Sequence, residues 1–122
     1  QVKVWGHMPQ PELKHIMSSS HVMALPSVQE GFGMVMAQAM ACSCPVVASR
    51  NTGAADLFED GVDGYIVPER DADALAERLQ RLADDPGMRL RAGQLAHQRV
   101  QQAGGWRQYG HQALSIYEDL IL

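Results

Sequence analysis

Residues 22–49 have the sequence VMALPSVQEGFGMVMAQAMACSCPVVAS, in which two short apolar runs flank a segment rich in Met and Ala. The first run, residues 22–25, ends at a Pro-Ser pair and predicts a strand, and residues 45–48 predict a second strand. Between them a helix is predicted from about residue 33 to residue 42. Two almost wholly apolar strands joined by a helix are typical of a parallel sheet that is covered on both faces.

The rest of the chain continues this alternation of strands and helices. Val2 and Val4 predict an earlier strand, and residues 65–67, which follow two Asp-Gly pairs, predict a later one. Further helices are predicted after Pro11, over residues 53–59, after the capping residue Asp71, and at roughly 87–103 and 106–121. The predicted fold class is therefore α/β, with a Rossmann-like parallel sheet of about four strands and flanking helices.

Length and composition limit the chain to one globular domain. Its 122 residues, 46% hydrophobic and 20% charged, suffice for a core but leave no room for two domains. The net charge of −4 argues against a nucleic-acid partner, because that role needs a basic face. No apolar run approaches the roughly 20 residues of a membrane-spanning helix. Because the chain opens on a predicted strand and without an initiator Met, we expect a fragment of a longer protein.

The cysteines and histidines lack the spacing of a metal site. Cys42 and Cys44 are separated by a single residue and have no second pair to complete a zinc site. The five histidines show no metal-ligand spacing either. We therefore predict no metal and no cofactor, and we interpret the cysteines as small buried residues in a reducing cytosol.

The candidate binding segment is the loop at residues 26–33, PSVQEGFG, which leads from a predicted strand into a helix. Ligands of open parallel sheets bind beyond the carboxyl ends of the strands, at such loops. The two glycines would let the backbone approach a ligand, and the free amides of the helix end suit a phosphate. Glu30 could accept from hydroxyl groups, and Gln38 could reach another part of the same ligand. A diphosphate between two hydroxyl-bearing groups would fit this arrangement.

Each of these features also has a purely structural interpretation. A Gly-x-Gly sequence after a strand can be a tight turn that packs a helix on a sheet. A carboxylate such as Glu30 is common near a helix N-terminus, where it interacts with the helix dipole. The loop taken alone leaves both interpretations open.

The same stretch resembles a known family of enzymes. Residues 26–35 (PSVQEGFGMV), 39–42 (AMAC) and 45–49 (PVVAS) look like the donor-binding half of the retaining glycosyltransferases of family 4, which have the GT-B fold. The resemblance continues at Gly53, residues 60–67 and 84–86, and the aromatic tail that contains Trp106, Tyr109 and Tyr117. It implies that residues 1–122 are the nucleotide-sugar-binding C-terminal domain of a hexosyltransferase. This fragment alone would be inactive, because the N-terminal acceptor domain is absent from it.

The resemblance also implies the site residues. Glu30 matches the first member of the family's Glu, seven residues, Glu motif and is the candidate catalytic residue, with the role of positioning the donor sugar near its reacting carbon. The second Glu of the motif binds the ribose of the nucleotide, and its position is occupied by Gln38. The donor sugar and diphosphate would be held by the backbone amides of Phe32, Gly33, Met34 and Val35.

The glutamine at position 38 is the main departure from the family pattern. A carboxylate accepts from both ribose hydroxyls in charge-assisted bonds, which are about twice as strong as neutral ones. Gln38 has one acceptor oxygen and two donor hydrogens, so it can still bind a diol. We expect donor affinity to be lower by about 1–2 kcal/mol, or about tenfold. Ser43 and Thr52 also stand where the family usually has glycine.

The implied partners are a UDP- or GDP-hexose donor and the N-terminal domain of the same enzyme, which would supply the acceptor site. The Arg and Lys that grip the donor phosphates in the family would lie upstream. No nucleic acid and no divalent metal is implied. The expected location is the cytoplasm, with the inner face of the membrane as an alternative, because acceptors at the membrane surface are frequent in this family.

Two other functions compete with the transferase as explanations of the sequence. A degenerate or regulatory lobe that binds nucleotide sugars without turnover would explain Gln38. A dinucleotide-binding oxidoreductase would need a Gly-x-Gly-x-x-Gly turn directly after the first predicted strand. The sequence there is Gly-His-Met-Pro, at residues 6–9, so the oxidoreductase is excluded.

Overall fold

The computed structural model describes residues 1–121 and shows a parallel sheet flanked by helices. In chain order the elements are α1 (Gln10–Ser19), β1 (Met23–Leu25), α2 (Met34–Ala41), β2 (Val46–Ser49), α3 (Ala54–Leu57), β3 (Tyr65–Val67), α4 (Ala72–Asp84), α5 (Pro86–Ala103) and α6 (Trp106–Ile121). The strands lie in the order β1–β2–β3, and both neighbouring pairs are parallel. The predicted α/β class with a Rossmann-like parallel sheet is confirmed.

The strand predicted at Val2 and Val4 is wrong. Residues 1–9 are neither helix nor strand, and the two valines are 91% and 89% exposed. A strand is defined by the backbone bonds it makes to a neighbour, and within residues 1–121 the only strand that pairs with β1 is β2. The described sheet therefore has three strands, one fewer than about four.

The central strand β2 contributes side chains to hydrophobic clusters on both faces of the sheet. All four of its residues are buried, as the apolar run predicts, whereas Ala24 of the edge strand β1 is exposed. Val46 and Ala48 pack in one cluster and Val47 in the other. The larger buried members of the first cluster are Met17, Met36, Met40 and Phe58. Those of the second are Tyr65, Val67 and Leu82. Helices therefore cover both faces, as expected for a parallel sheet.

Two aspartates fix the starts of the long helices. Asp71 Oδ1 accepts from the amide of Ala74 at 2.9 Å, which confirms the predicted cap of α4. Asp85 Oδ1 accepts from the amide of Met88 at 2.9 Å and begins α5 in the same way. Each such cap stabilises its helix by about 1 kcal/mol. Helix α4 is thereby set to bury Leu82 against the second cluster.

The two cysteines are free thiols in different environments. Cys44 is 1% exposed, and burial, with a smaller contribution from nearby Cys42, raises the pKa of its thiol to about 11. A thiol with that pKa stays protonated at neutral pH and is chemically inert. The interpretation as a small buried residue fits Cys44, whereas Cys42 is only half-buried.

Ser43 follows α2 in a backbone conformation that favours glycine. Its φ is 57°, and its amide donates to Met40 O at 3.0 Å, so it ends the helix in the left-handed region. This conformation costs an L-residue with a Cβ about 1–2 kcal/mol. The family usually has glycine at position 43, and glycine would be the least strained residue in this backbone conformation.

We expect Ser43→Gly to raise the free energy of unfolding by about 0.5–1 kcal/mol. Relief of the strain is partly offset by the greater freedom of glycine in the unfolded chain. The melting temperature should rise by about 2–4 °C in thermal unfolding followed by circular dichroism. Ser43→Ala, which keeps the Cβ, should give no increase. Equal melting temperatures for the glycine and alanine variants would contradict the strain at this residue.

Candidate donor site

The candidate site lies at the carboxyl ends of the three strands, where their following loops are joined by backbone hydrogen bonds. The loop after β1 meets the loop after β2, because the amide of Glu30 donates to Asn51 O at 2.9 Å. The loop after β2 meets the end of β3, because the amide of Arg50 donates to Val67 O at 3.0 Å. This is the edge at which open parallel sheets bind ligands.

Glu30 is held in an exposed position by its own loop. Ser27 Oγ donates to Glu30 Oε2 at 3.0 Å, and Asn51 Nδ2 donates to Val28 O at 3.4 Å. Together with the backbone bond from Glu30 to Asn51, these contacts fix the Glu30 side chain on the rim of the sheet. The second carboxylate oxygen of Glu30 is left to accept from another group.

Helix α2 begins at a glycine whose conformation and packing exclude a side chain. Gly33, the N-cap, has φ 65° and ψ 59°, and a Cβ there would lie 2.8 Å from Met36 Cε and 3.2 Å from Thr52 O. The amides of Met34 and Val35 have no intrahelical acceptor because they belong to the first turn. As a glycine, Gly33 supplies no side-chain cap to this end of the helix. The helix end therefore offers backbone donors and a positive dipole to an anion.

A second glycine brings the two loops into contact. Gly53 precedes α3 with φ 73°, and a Cβ there would lie 3.1 Å from Gly31 O and 3.2 Å from Phe32 O. The segment that precedes the α2 helix end thus rests directly on the backbone of Gly53. Any larger residue at this position would push the 31–33 segment away from the sheet.

Two buried hydroxyl groups support the loop from below, and the sequence analysis named neither as a site residue. Ser49 and Thr52 are 1% and 0% exposed. Thr52 Oγ1 donates to Ser49 O at 2.7 Å. Ser49 Oγ lies within hydrogen-bond distance of the carbonyls of Leu25 and Ser27, and its single proton donates to one of them at a time. Thr52 stands at a usual glycine position without backbone strain, because its φ is not positive, and its buried hydroxyl is paired. The available signal was the change from apolar to hydroxyl residues at the end of a buried strand.

The structure brings five of the six predicted residues together in one segment. Glu30 and Phe32 are exposed in the loop, and Gly33, Met34 and Val35 form the start of α2. The sixth residue, Gln38, lies more than one turn along α2 and faces α1. Its Nε2 donates to Gln10 Oε1 at 3.4 Å. The two side chains line a groove of about 300 Å³ between α1 and α2, together with Leu13, Lys14, Met17, Ala41 and Cys42.

The described residues offer neither a metal site nor a membrane-spanning helix. Within residues 1–121, no three His, Cys, Asp or Glu side chains come close enough together to hold a metal ion. Over the same residues, no helix combines the length and apolar character needed to cross a bilayer.

Comparison with known proteins gives a consistent result. The model of the family "Glycosyl transferases group 1" matches residues 1–99. A D-inositol 3-phosphate glycosyltransferase from Kribbella flavida is 36% identical over 110 residues, which is 90% of this chain and 26% of that protein. An alpha-maltose-1-phosphate synthase from Mycobacterium tuberculosis is 37% identical over 112 residues, 87% of this chain and 29% of that protein.

Solved structures share the fold. A sucrose-phosphate synthase from Thermosynechococcus elongatus superposes with a TM-score of 0.87 at 33% identity, over 96% of this chain and 29% of the other. The Anabaena protein HepE, solved in complex with UDP, gives 0.79 at 26% identity, over 85% and 29%. This chain thus spans less than a third of the length of each of these proteins. Its parallel sheet is that of GT-B glycosyltransferases, and the chain belongs to the glycosyl transferases group 1 family.

Proposed function

We propose that this chain is the donor-binding C-terminal domain of a retaining glycosyltransferase of family 4 and binds a nucleotide-diphosphate hexose. The observation that carries the proposal is the α2 helix end, where a left-handed glycine leaves unpaired amides beside the exposed carboxylate of Glu30. Support also comes from HepE, a structural neighbour that was solved with UDP. A hexose donor in its UDP or GDP form is the expected ligand.

The proposed roles follow from the geometry of the helix end. The amides of residues 32–35 would bind the diphosphate and the donor sugar, where they stabilise negative charge without a metal. Glu30, held by Ser27, would accept from sugar hydroxyls and so position the reacting carbon. In transfer with retention, the acceptor attacks on the face from which the nucleotide leaves, and Glu30 then positions the sugar without acting as the nucleophile.

The remaining parts of the enzyme would lie outside this chain. The curated relatives are more than three times longer, which leaves room for the proposed N-terminal domain that would bind the acceptor. We propose this domain as the partner of the exposed aromatic residues Trp106, Tyr109 and Tyr117 of α6. The proposed location is the cytoplasm, with an acceptor at the inner membrane surface as one option. The chain alone would bind the donor and not turn it over.

An amide NMR titration tests this proposal. The 122-residue chain is titrated with UDP-, GDP- and ADP-glucose and with the corresponding mannose donors. We expect saturable shifts in residues 30–38 with one nucleotide class. Glu30→Gln should retain binding of the free nucleoside diphosphate and lose affinity for the complete donor, because Glu30 is assigned to the sugar. No saturable shift at millimolar ligand would contradict the donor-binding function.

The alternative is a lobe that binds nucleotide sugars without turnover, and the observation that favours it is the glutamine at position 38. Gln38→Glu measures how far the glutamine weakens the site. We expect donor affinity to rise about tenfold, because a carboxylate accepts from both ribose hydroxyls in charge-assisted bonds. A gain of that size, measured by isothermal titration calorimetry, indicates a site weakened at the ribose. An unchanged affinity with measurable donor binding indicates a site already adapted to glutamine.

A further inference from the structure

The side-chain amide of Gln38 has a partner on a different helix. Gln10 is the first residue of α1, and its Oε1 accepts from Gln38 Nε2 at 3.4 Å, across 28 positions of sequence. Both side chains line the groove between α1 and α2. Gln10 is mostly exposed, so the contact is an interaction at the surface of the groove and not part of the core.

The backbone of Gln10 is rigid for a residue at a helix start. Pro9 is the N-cap of α1, with φ −63°, and Pro11 follows Gln10 within the first turn. Each proline fixes its own φ, and Pro11 also restricts the residue before it. Helix α1 leads into β1, so its first residue lies at the same edge of the sheet as the start of α2. Gln10 is therefore placed beside the Gln38 amide, at the edge of the sheet that carries the candidate site.

An amide needs orientation that a carboxylate does not. Either oxygen of a carboxylate can accept from a hydroxyl, whereas a glutamine presents an oxygen on one side and an amino group on the other. When Gln10 accepts from Gln38 Nε2, the Oε1 of Gln38 points away from the pair and is left as an acceptor. The orientation of the Gln38 amide is then set by the contact with Gln10.

We propose that Gln10 is a positioning residue, which turns the amide of Gln38 so that Gln38 Oε1 accepts from the 2′-hydroxyl of the ribose of the bound nucleotide. The inference rests on the proposed function, because it assumes that Gln38 faces the ribose. Gln10 would orient the Gln38 amide. The glutamate that the family usually has at this position needs no such orientation, because either carboxylate oxygen can accept. If Gln10 has this role, its loss should lower the preference for ribose over 2′-deoxyribose and leave the stability of the fold unchanged.

The test compares UDP with 2′-deoxy-UDP, and GDP with 2′-deoxy-GDP, by calorimetric or NMR titration of the full chain. Gln10→Leu removes the acceptor with little change in size, and Gln10→Glu keeps an acceptor for Gln38 Nε2. We expect Gln10→Leu to lower the preference for the ribonucleotide about threefold to tenfold, the range for one neutral hydrogen bond. Gln10→Glu should restore it. In a Gln38→Ala background Gln10→Leu should have no further effect.

The outcomes separate the inference from the proposed function. Binding of UDP or GDP, with the same ribose preference in Gln10→Leu as in the unchanged chain, overturns the role of Gln10 and leaves the donor site intact. A preference that falls equally in Gln10→Leu and Gln10→Glu also overturns it, because the acceptor at position 10 is then irrelevant. Failure of both nucleotides to bind the unchanged chain overturns the donor site and, with it, the inference. Circular dichroism of each variant confirms that the fold is retained.

Discussion

Gly33→Ala is expected to lower the affinity for a nucleotide-sugar donor by about tenfold to a hundredfold. A Cβ at this position meets Thr52 O at 3.2 Å, and φ is 65°, so the start of α2 must move or strain. The amides of residues 33–35 would leave their positions, and one charge-assisted hydrogen bond to phosphate is worth about 1.5–3 kcal/mol. The free energy of unfolding should fall by about 2 kcal/mol, mainly from the left-handed conformation.

Gly31→Ala is the matched control in the same loop. No atom lies within 4 Å of a Cβ built at Gly31, and its φ is outside the left-handed region. This variant should unfold like the unchanged chain. Urea unfolding of both variants gives the comparison of stability, and donor titration compares Gly33→Ala with the unchanged chain. Equal donor affinities for Gly33→Ala and the unchanged chain would show that the helix end does not hold the ligand, and the proposed donor site would then be wrong.

Gly93→Ala is expected to lower the free energy of unfolding by about 3 kcal/mol. Gly93 is buried where α5 crosses the segment between α2 and β2, and a Cβ there would overlap the carbonyl oxygen of Ser43. Because that oxygen belongs to the backbone and Pro45 Cδ lies 3.5 Å away, the clash cannot be relieved by a rotamer change. Overpacking of this kind costs about 1–3 kcal/mol. Because the obstacle here is backbone, the loss in free energy of unfolding should lie at the upper end of that range.

The same substitution in α6 should have the opposite sign. Gly110 lies within that helix, and no atom is within 4 Å of its Cβ position. Gly110→Ala therefore relieves the cost of a helical glycine, about 0.5–1 kcal/mol, without a clash. Thermal unfolding should show a lower melting temperature for Gly93→Ala, and circular dichroism should show equal or greater helicity for Gly110→Ala. A neutral Gly93→Ala would mean that α5 does not pack on the Ser43 carbonyl.

The parts of the fold that were predicted correctly have local causes. The cap at Asp71 and the buried face of α4 depend on residues three or four positions apart, which the sequence displays directly. The apolar run of β2 predicted a strand buried on both faces for the same reason. The prediction of a strand at Val2 and Val4 was wrong because alternation of apolar residues describes one segment alone, whereas a strand must also pair with a neighbour. Whether a second strand lies beside it is a property of the folded chain.

Part of the candidate site is visible in the sequence. The rest depends on contacts between residues that are distant in sequence. The loop and the start of α2 are contiguous in sequence, so their glycines and Glu30 were visible together. The role of Gly53 depends on its contact with Gly31 and Phe32, and the partner of Gln38 is 28 positions away. No sequence spacing indicates either contact. The assignment of the six site residues to donor binding stays a prediction until a donor is titrated.

The bond between Glu30 and Asn51 has a consequence for how this surface can evolve. The atoms that join the two loops, Glu30 N and Asn51 O, belong to the main chain, and so do the carbonyls that rest against Gly53. Exchanging the exposed side chains of Val28, Gln29 or Phe32 leaves these contacts in place. If the proposed donor site is correct, single substitutions on this rim can therefore alter the ligand preference while the backbone of the two loops keeps its shape. The main-chain contacts between the loops can therefore be kept within a lineage while the exposed side chains that determine specificity change.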